Sequence, residues 1–187
     1  MSKRYPQHGF TLIELVVAMA VFGILVMIAV PSFTSMMDSI RVKRAADAIS
    51  AFMANAKSEA IKRNRTVTVV FQTSNSHATW CAGMAAISDC DCTGADTTKL
   101  CRLDDNVDRV LTGDASYRNI LLTDSTGNTA DNTDFSFSPN RGNVDAGSVQ
   151  VQSKNGLKVR VVVSTTGRVR LCSPSGSGNI GGYAVCS

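Results

Sequence analysis

The longest pattern in the chain is an apolar run near its N-terminus. Residues 10–30 carry a single charged side chain, Glu14, and they follow a short basic leader, residues 1–9. A helix of this length is about 31 Å long, which is enough to cross a bilayer. Because the basic residues precede the run, we expect a cytoplasmic N-terminus and translocation of everything beyond Pro31.

Beyond Pro31 the apolar residues recur at steps of three and four, which is the period of an amphipathic helix. We expect one helix that ends near Arg63. A kink or local opening is expected at Pro31, because proline lacks the backbone N–H and clashes with the preceding turn. The stripe expected to face a sheet or core consists of Phe33, Met36, Met37, Ile40, Ala45, Ala48, Ile49, Phe52, Met53, Ala56 and Ala60.

After Arg65 the pattern changes to short, β-branched or alternating segments bounded by turn residues, which predict strands. We expect a mostly antiparallel sheet laid against the helix, so the fold class is α+β. Residues 88–134 are predicted to form a long loop region in which 117–122 is the one ordered segment. The predicted strands are 66–71, 78–87, 135–138, 148–152, 157–164 and 167–172. The expected organisation is a leader (1–9), a membrane half-helix (10–31), an amphipathic half-helix (32–65) and a β-rich head (66–187).

The formal net charge of +4 hides an uneven distribution. Residues 66–139 hold four basic and ten acidic side chains, whereas residues 140–187 hold six basic and one acidic. Such asymmetry indicates a polyanionic partner for the last quarter of the chain.

All six cysteines lie beyond the predicted span, where an oxidising compartment favours disulfides over free thiols. Cys172 and Cys186 enclose a tail rich in Gly and Ser, and we expect a disulfide between them. The other four are expected to pair among themselves, with Cys81 bonded to Cys101 or to Cys90. The pair Cys90-x-Cys92, which lies between Cys81 and Cys101, could also hold a zinc ion.

Neither an enzyme nor a metal site is predicted. His8 lies in the leader and His77 in a polar loop, and no nucleophile, base and orienting group can be assembled. Asp89 begins a segment that resembles a calcium loop, but position twelve is Leu100, where a bidentate glutamate is needed. We therefore expect no metal and no cofactor.

The segment from Gly9 to Leu15, Gly-Phe-Thr-Leu-Ile-Glu-Leu, resembles the processing site of type IV prepilins and type II secretion pseudopilins. In that family a membrane peptidase cuts after the glycine and the new N-terminal phenylalanine is N-methylated. The resemblance implies cleavage between Gly9 and Phe10. It also implies that Glu14 meets the N-terminal amine of a neighbouring subunit during assembly. Such a partner matters, because an unpaired carboxylate in hydrocarbon costs roughly a few kcal/mol.

Two segments of the head, residues 135–142 and 164–170, resemble the minor pilin family that contains FimT, FimU and the pseudopilin GspH. The resemblance implies the pilin fold and incorporation into a type IV pilus, at or near the tip, with a role in starting assembly. Its implied partners are other pilins, the prepilin peptidase, the assembly platform and the inner membrane, with the head in the periplasm before assembly and the pilus on the cell surface afterwards. The alternatives are a DNA-capturing competence pilin and a minor pseudopilin of a type II secretion system.

The predicted strands 157–164 and 167–172 form a basic hairpin. With a three-residue connection, Arg160 is expected to lie opposite Arg170, and Val162 opposite Arg168. Opposed like charges disfavour pairing, so an anion over this face would stabilise it. In some FimT-like proteins a Gly-Arg-x-Arg motif contributes to DNA capture, and residues 167–170 match it. The resemblance implies a DNA-binding patch of Arg168 and Arg170, enlarged by Lys154, Lys158, Arg160 and Arg141. The alternative is a solvated face whose arginines pair with the acidic loop region.

Overall fold

The computed structural model describes residues 9–74, 79–86, 88–105, 107–113, 117, 119–124, 130, 133–140 and 144–186. Over these residues the chain forms helix α1 and strands β1 to β8. Their bounds are α1 Leu12–Arg63, β1 Val67–Ser74, β2 Thr79–Ala85, β3 Val110–Thr112, β4 Ile120–Thr123, β5 Thr133–Phe137, β6 Gly147–Ser153, β7 Lys158–Val163 and β8 Val169–Cys172. The chain divides into two compact units, one ending at Met37 and the other beginning at Asp38.

In the first unit α1 exposes apolar side chains on all sides, including Phe22, Met27 and Phe33. By length and composition this helix is able to cross a membrane. Helix α1 runs through Pro31 without a break in its assigned span. The kink or local opening predicted there stays a prediction.

In the second unit one stripe of α1 is fully buried. Its members are Val42, Ala45, Ala46, Ile49, Met53, Ala56 and Ala60. The predicted stripe is confirmed at Ala45, Ile49, Met53, Ala56 and Ala60, is half-buried at Met37, Ile40, Ala48 and Phe52, and was wrong for Phe33 and Met36, which are exposed and belong to the first unit. The helix ends as predicted at Arg63. Asn64 adopts a left-handed conformation with φ 49°, and the Arg65 N–H donates to the Ala60 carbonyl at 3.2 Å, closing the last turn.

The strands form two antiparallel sheets, whereas one was predicted. Sheet I has the order β3-β2-β1-β5 and sheet II the order β4-β6-β7-β8. The region 88–134, predicted to be a loop, supplies an edge strand to each sheet: β3 to sheet I and β4 to sheet II. The second of these overlaps the segment 117–122 that was predicted to be ordered. Among the described strands, none of sheet I pairs with one of sheet II, so the head has two sheets instead of one.

Both sheets direct one face into a single core with α1. Sheet I contributes three buried phenylalanines, and Phe71 and Phe135 meet edge to face with ring centroids 6.1 Å apart. Sheet II contributes an aliphatic surface made mostly of valine, the valine surface. Its buried members are Ile120, Leu122, Val149, Val151, Val159, Val161 and Val163. The inward position of every second residue along β7 agrees with the alternation predicted for the basic hairpin.

The outer face of sheet I carries a second, smaller buried cluster built from cysteines. Cys81 is bonded to Cys92, and Cys90 to Cys101, so neither predicted partner of Cys81 was correct. The loop after β2 folds back over the sheet, and the Gln72 side chain accepts the Cys92 N–H at 2.9 Å, which places Cys92 over Cys81. Because Cys90 and Cys92 are both in disulfides, neither sulfur is available to zinc.

Candidate functional site

The basic side chains of β7 and β8 lie on the outer face of sheet II, opposite the valine surface. Lys158, Arg160 and Val162 are partly exposed on β7, and Arg170 is exposed on β8. The predicted shared face is therefore present. Arg141 and His77 lie outside the described residues.

The register of the hairpin differs from the prediction by two residues. Val162 pairs with Arg170, and Arg160 pairs with Cys172. The connection is longer than expected, since the Ser164 N–H donates to the Arg168 carbonyl at 3.0 Å and strand pairing begins only at Val169. No two cations are therefore directly opposed on these strands, and the predicted repulsion between Arg160 and Arg170 does not arise.

The turn between β7 and β8 is held by contacts that the sequence analysis missed. Gly167 has φ +67°, a conformation that favours glycine, and its N–H donates to the Ser164 carbonyl at 2.7 Å. The Ser164 hydroxyl accepts the Arg168 N–H at 3.2 Å. From α1, the Lys57 ammonium donates to the Thr166 carbonyl at 2.8 Å. These bonds fix the turn that carries Arg168.

A row of polar side chains crosses the outer face of sheet II beside the cations. The Gln150 amide donates to the Thr123 hydroxyl at 3.2 Å, and Arg160 donates to the Gln150 carbonyl oxygen at 3.4 Å. Gln150 and Thr123 are only 5% and 6% exposed. The alternation of the strands predicted the face of these residues but not their burial.

The acidic residues of the loop after β2 pair with cations other than those of the basic hairpin. Asp105 binds Arg63 at 2.7 Å and Arg109 at 2.6 Å, and Asp89 binds Lys99 at 2.8 Å. Two more pairs join Asp104 to Arg65 and Asp108 to Arg102. Within the described part of the chain, Arg168, Arg170, Lys154 and Lys158 form no ion pair. Among the described residues the hairpin arginines Arg168 and Arg170 therefore do not pair with the acidic loop; Asp114 and Asp131 of that region lie outside the described residues.

The ion pairs lower the pKa of Asp105 and of Glu59. Hydrogen bonds from Arg109 and Arg63 lower the pKa of Asp105 from 3.8 to about 2. The Arg63 hydrogen bond also lowers the pKa of Glu59, although burial opposes it. Four loop carboxylates, Asp89, Asp104, Asp105 and Asp108, are thus paired with cations, which offsets part of the negative charge of this region.

The C-terminal tail borders the basic face. The expected disulfide between Cys172 and Cys186 is present. Between these cysteines, Ile180 is buried in the core, and the Cys186 N–H donates to the Ser173 carbonyl at 3.1 Å. The Lys43 ammonium lies 5.9 Å from the centre of the Tyr183 ring. The tail is therefore held at its ends by the disulfide and in its middle by the buried Ile180.

At the start of α1, Thr11 and Glu14 form a capping box. The Thr11 N–H and hydroxyl both donate to the Glu14 carboxylate at 3.4 Å, and the Glu14 N–H donates to the Thr11 hydroxyl at 3.4 Å. The sequence analysis missed Thr11, although the Thr-x-x-Glu spacing is the signal for this motif. Glu14 is thus satisfied by its own helix end through long hydrogen bonds.

An apolar helix with a carboxylate in its first turn, continuing into a head of antiparallel sheets, defines a pilin-like subunit. Two family models match the chain: the prokaryotic N-terminal methylation motif at residues 4–30, and type II transport protein GspH at residues 45–167. The chain belongs to the GspH family, and it is a minor pilin or pseudopilin. The methylation motif and the apolar helix indicate anchoring in a membrane before assembly.

Solved structures with a similar arrangement share little sequence with this chain. The type IV minor pilin FimU of Pseudomonas aeruginosa (strain PAO1) is 14% identical, with a TM-score of 0.44 over 71% of this chain and 97% of that chain. The minor pseudopilin EpsH from the type 2 secretion system of Vibrio cholerae is 16% identical, with a TM-score of 0.47 over 73% and 99%. Among curated proteins, no sequence gives a significant match. The family assignment therefore rests on the family models.

Proposed function

We propose that this chain is a minor pilin that enters a type IV pilus at or near its tip and helps to start assembly. The observation that carries this proposal is the first part of α1, which is apolar and exposed and has the single carboxylate Glu14 near its start. Such a surface needs either lipid or the apolar helices of neighbouring subunits. We propose no enzymatic step for this chain.

Glu14 has capacity for a partner outside its own subunit. Its carboxylate accepts from Thr11 at 3.4 Å, which is long for a charge-assisted hydrogen bond. Cleavage after Gly9 would give each subunit a cationic amine at Phe10. A neighbour's amine at Glu14 would neutralise the carboxylate in an apolar setting, where an unpaired charge is costly. Assembly would then be favoured over residence in the membrane.

The test is Glu14→Gln, because glutamine keeps the capping geometry and removes the charge. We expect normal membrane insertion and normal processing to an N-methylated Phe10, but loss of the subunit from purified pili. Thr11→Val is the matched control, since it removes the cap partner and leaves the carboxylate. Incorporation of the Glu14→Gln variant at the wild-type level would refute the proposal. Immunogold labelling confined to pilus ends would support the tip position, and labelling along the shaft would exclude it.

A second candidate function is DNA capture, favoured by Lys154, Lys158, Arg168 and Arg170, which form no ion pair within the described residues. Binding of this type would consist mainly of phosphate contacts, so it would tolerate any sequence and weaken steeply with salt. Replacing Arg168 and Arg170 by Gln should lower DNA affinity and reduce the slope of log K against log salt by about 0.9 for each lost contact. Unchanged gel shifts for the double variant, with a native melting temperature, would remove this candidate.

A third candidate is a minor pseudopilin of a type II secretion system, favoured by the description of the matching family model. Deletion of the gene separates the three roles. Loss of surface pili supports the assembly role, loss of DNA uptake with intact pili supports capture, and failure to secrete folded exoproteins supports the pseudopilin.

A further inference from the structure

We propose that a groove across the outer face of sheet II holds the backbone of one DNA strand, with Val162 as its floor and Arg160 and Arg170 as its phosphate contacts. This inference rests on the DNA-capture candidate and names a site within it. It adds a groove, a floor residue and a positioning residue to a patch that was so far defined by its cations alone.

The register of the strands builds the groove. Val162 lies directly between Ser148 on β6 and Arg170 on β8. Arg160 lies two residues along β7 on the same face, so it is a diagonal neighbour of Arg170, at a Cα separation of about 7–8 Å. Two guanidinium groups thus flank one apolar side chain. These residues line a groove of about 430 Å³, and a second cavity of about 170 Å³ continues from Val162 and Arg170 towards Val185.

The alternation of charge and apolar surface matches the alternation of phosphate and sugar along a nucleic acid strand. A guanidinium presents a planar fork of donors that suits phosphate oxygens. Val162 is partly exposed and offers an apolar contact for the deoxyribose between two phosphates. Among the residues that the structure describes, no carboxylate side chain lines either cavity, so their charged lining is entirely positive. A contact of this type reads the backbone and not the bases.

Arg160 is held in place by the polar row described above. Thr123, Gln150 and Arg160 are linked side chain to side chain across β4, β6 and β7. Burying the Gln150 amide costs free energy unless it is hydrogen-bonded, and an apolar residue at this position would avoid that cost. The Gln150 amide meets this requirement through Thr123 and Arg160, and its bond to Arg160 orients that guanidinium in the groove. In this scheme Gln150 is a positioning residue that does not touch DNA.

The experiment measures binding of a fluorescent oligonucleotide to the full chain in detergent at two salt concentrations. Val162→Glu places a carboxylate on the floor, and we expect at least a tenfold loss of affinity. Val110→Glu is the matched control, because it adds the same charge to a partly exposed valine on sheet I, and no comparable loss is expected. Gln150→Leu keeps every cation, and we expect weaker binding with a smaller salt slope. Arg160→Gln is expected to lower the slope as well, whereas Arg44→Gln on the exposed side of α1 is not.

The possible outcomes separate the groove from DNA capture in general. If the Arg168 and Arg170 variants lose DNA while Val162→Glu binds like Val110→Glu, the groove is wrong and DNA capture stands. If the wild-type chain does not bind DNA, both the groove and DNA capture are refuted. If polyglutamate displaces the oligonucleotide as well as unlabelled DNA does, the groove accepts acidic protein segments and the assignment to DNA is overturned. Thermal melts of each variant establish that a loss of binding is not a loss of fold.

Discussion

Sheet I and sheet II each pack one face against the same helix, but their outer faces differ in how far they are covered and in how far their charges are paired. The outer face of sheet I is covered by a loop that two disulfides hold in place, and four of its carboxylates pair with cations of the loop or near the end of α1. The outer face of sheet II buries Gln150 and Thr123 but exposes Arg170, and Arg168, Arg170, Lys154 and Lys158 form no ion pair within the described residues. The head thus has one covered outer face with many paired charges and one partly exposed outer face with cations that are unpaired among the described residues.

The two outer faces differ in their capacity to bind a ligand. Paired charges and buried disulfides stabilise the fold and present little that a ligand could use. Cations without carboxylate partners contribute little stability at an exposed surface. They retain their capacity to bind an anion, so the outer face of sheet II is the stronger candidate for recognition.

The largest expected effect comes from Gly83→Val, which would break the covering of sheet I. A Cβ at this position would lie 2.2 Å from the Cys101 sulfur and 3.0 Å from the Cys90 sulfur. The disulfide and the strand would have to separate, and we expect a loss of about 3 kcal/mol in the free energy of unfolding, measured by urea titration. The control is Gly181→Val in the tail, where the added Cβ meets nothing within 4 Å. Equal stability of the two variants would contradict the close packing at Gly83.

A smaller loss of stability is expected on removing the Cys90–Cys101 disulfide by a double change to Ser. The sequence separation of 11 residues corresponds to a cost of about 2–3 kcal/mol. Oligonucleotide binding should be unchanged, because this bond lies on the other sheet. The matched variant is Cys172→Ser with Cys186→Ser, which frees the tail beside the groove and should alter binding. If both variants bound alike, the separation of the two faces would be wrong.

The smallest effect concerns pH and the ion pairs of Asp105. Its pKa is depressed to about 2 from 3.8, so its stabilisation is complete above pH 3.8 and is lost as the pH falls towards 2. Asp105→Asn should lower the melting temperature at neutral pH and make it less sensitive to acid over this window. Asp145→Asn, on the segment leading into sheet II, serves as the comparison. A melting curve for Asp105→Asn that keeps the full acid sensitivity would show that this pair does not contribute.

The sequence predicted α1 and six of the eight strands well, because helix and strand periods are local properties of the chain. The stripe from Ala45 to Ala60 repeats every three or four residues, and β7 alternates strictly between valine and other side chains up to Val161. Phe33 and Met36 were assigned to the same stripe because period alone does not tell where the sheets begin to cover the helix.

The candidate site was harder to predict, since its geometry depends on contacts between distant residues. The register of β7 and β8 follows from the hydrogen bonds of Ser164, which a count of loop residues does not reveal. The disulfide pairs of sheet I depend on how the loop after β2 folds back onto Gln72. The buried position of Gln150 depends on its neighbours across the sheet. The alternation of the strands predicted the face on which each residue lies but not the residues that it contacts.

The capping box at Thr11 and Glu14 has a consequence for the moment at which the leader is removed. Cutting after Gly9 would create a cationic amine at Phe10, beside the positive end of the macrodipole of α1, where positive charge is unfavourable. The Glu14 carboxylate in the first turn offsets that charge within its own chain. The amine of a second subunit would therefore compete with the Phe10 amine of the same chain for the Glu14 carboxylate. The carboxylate that would bind the next subunit would also balance the charge of the processed monomer before that subunit binds.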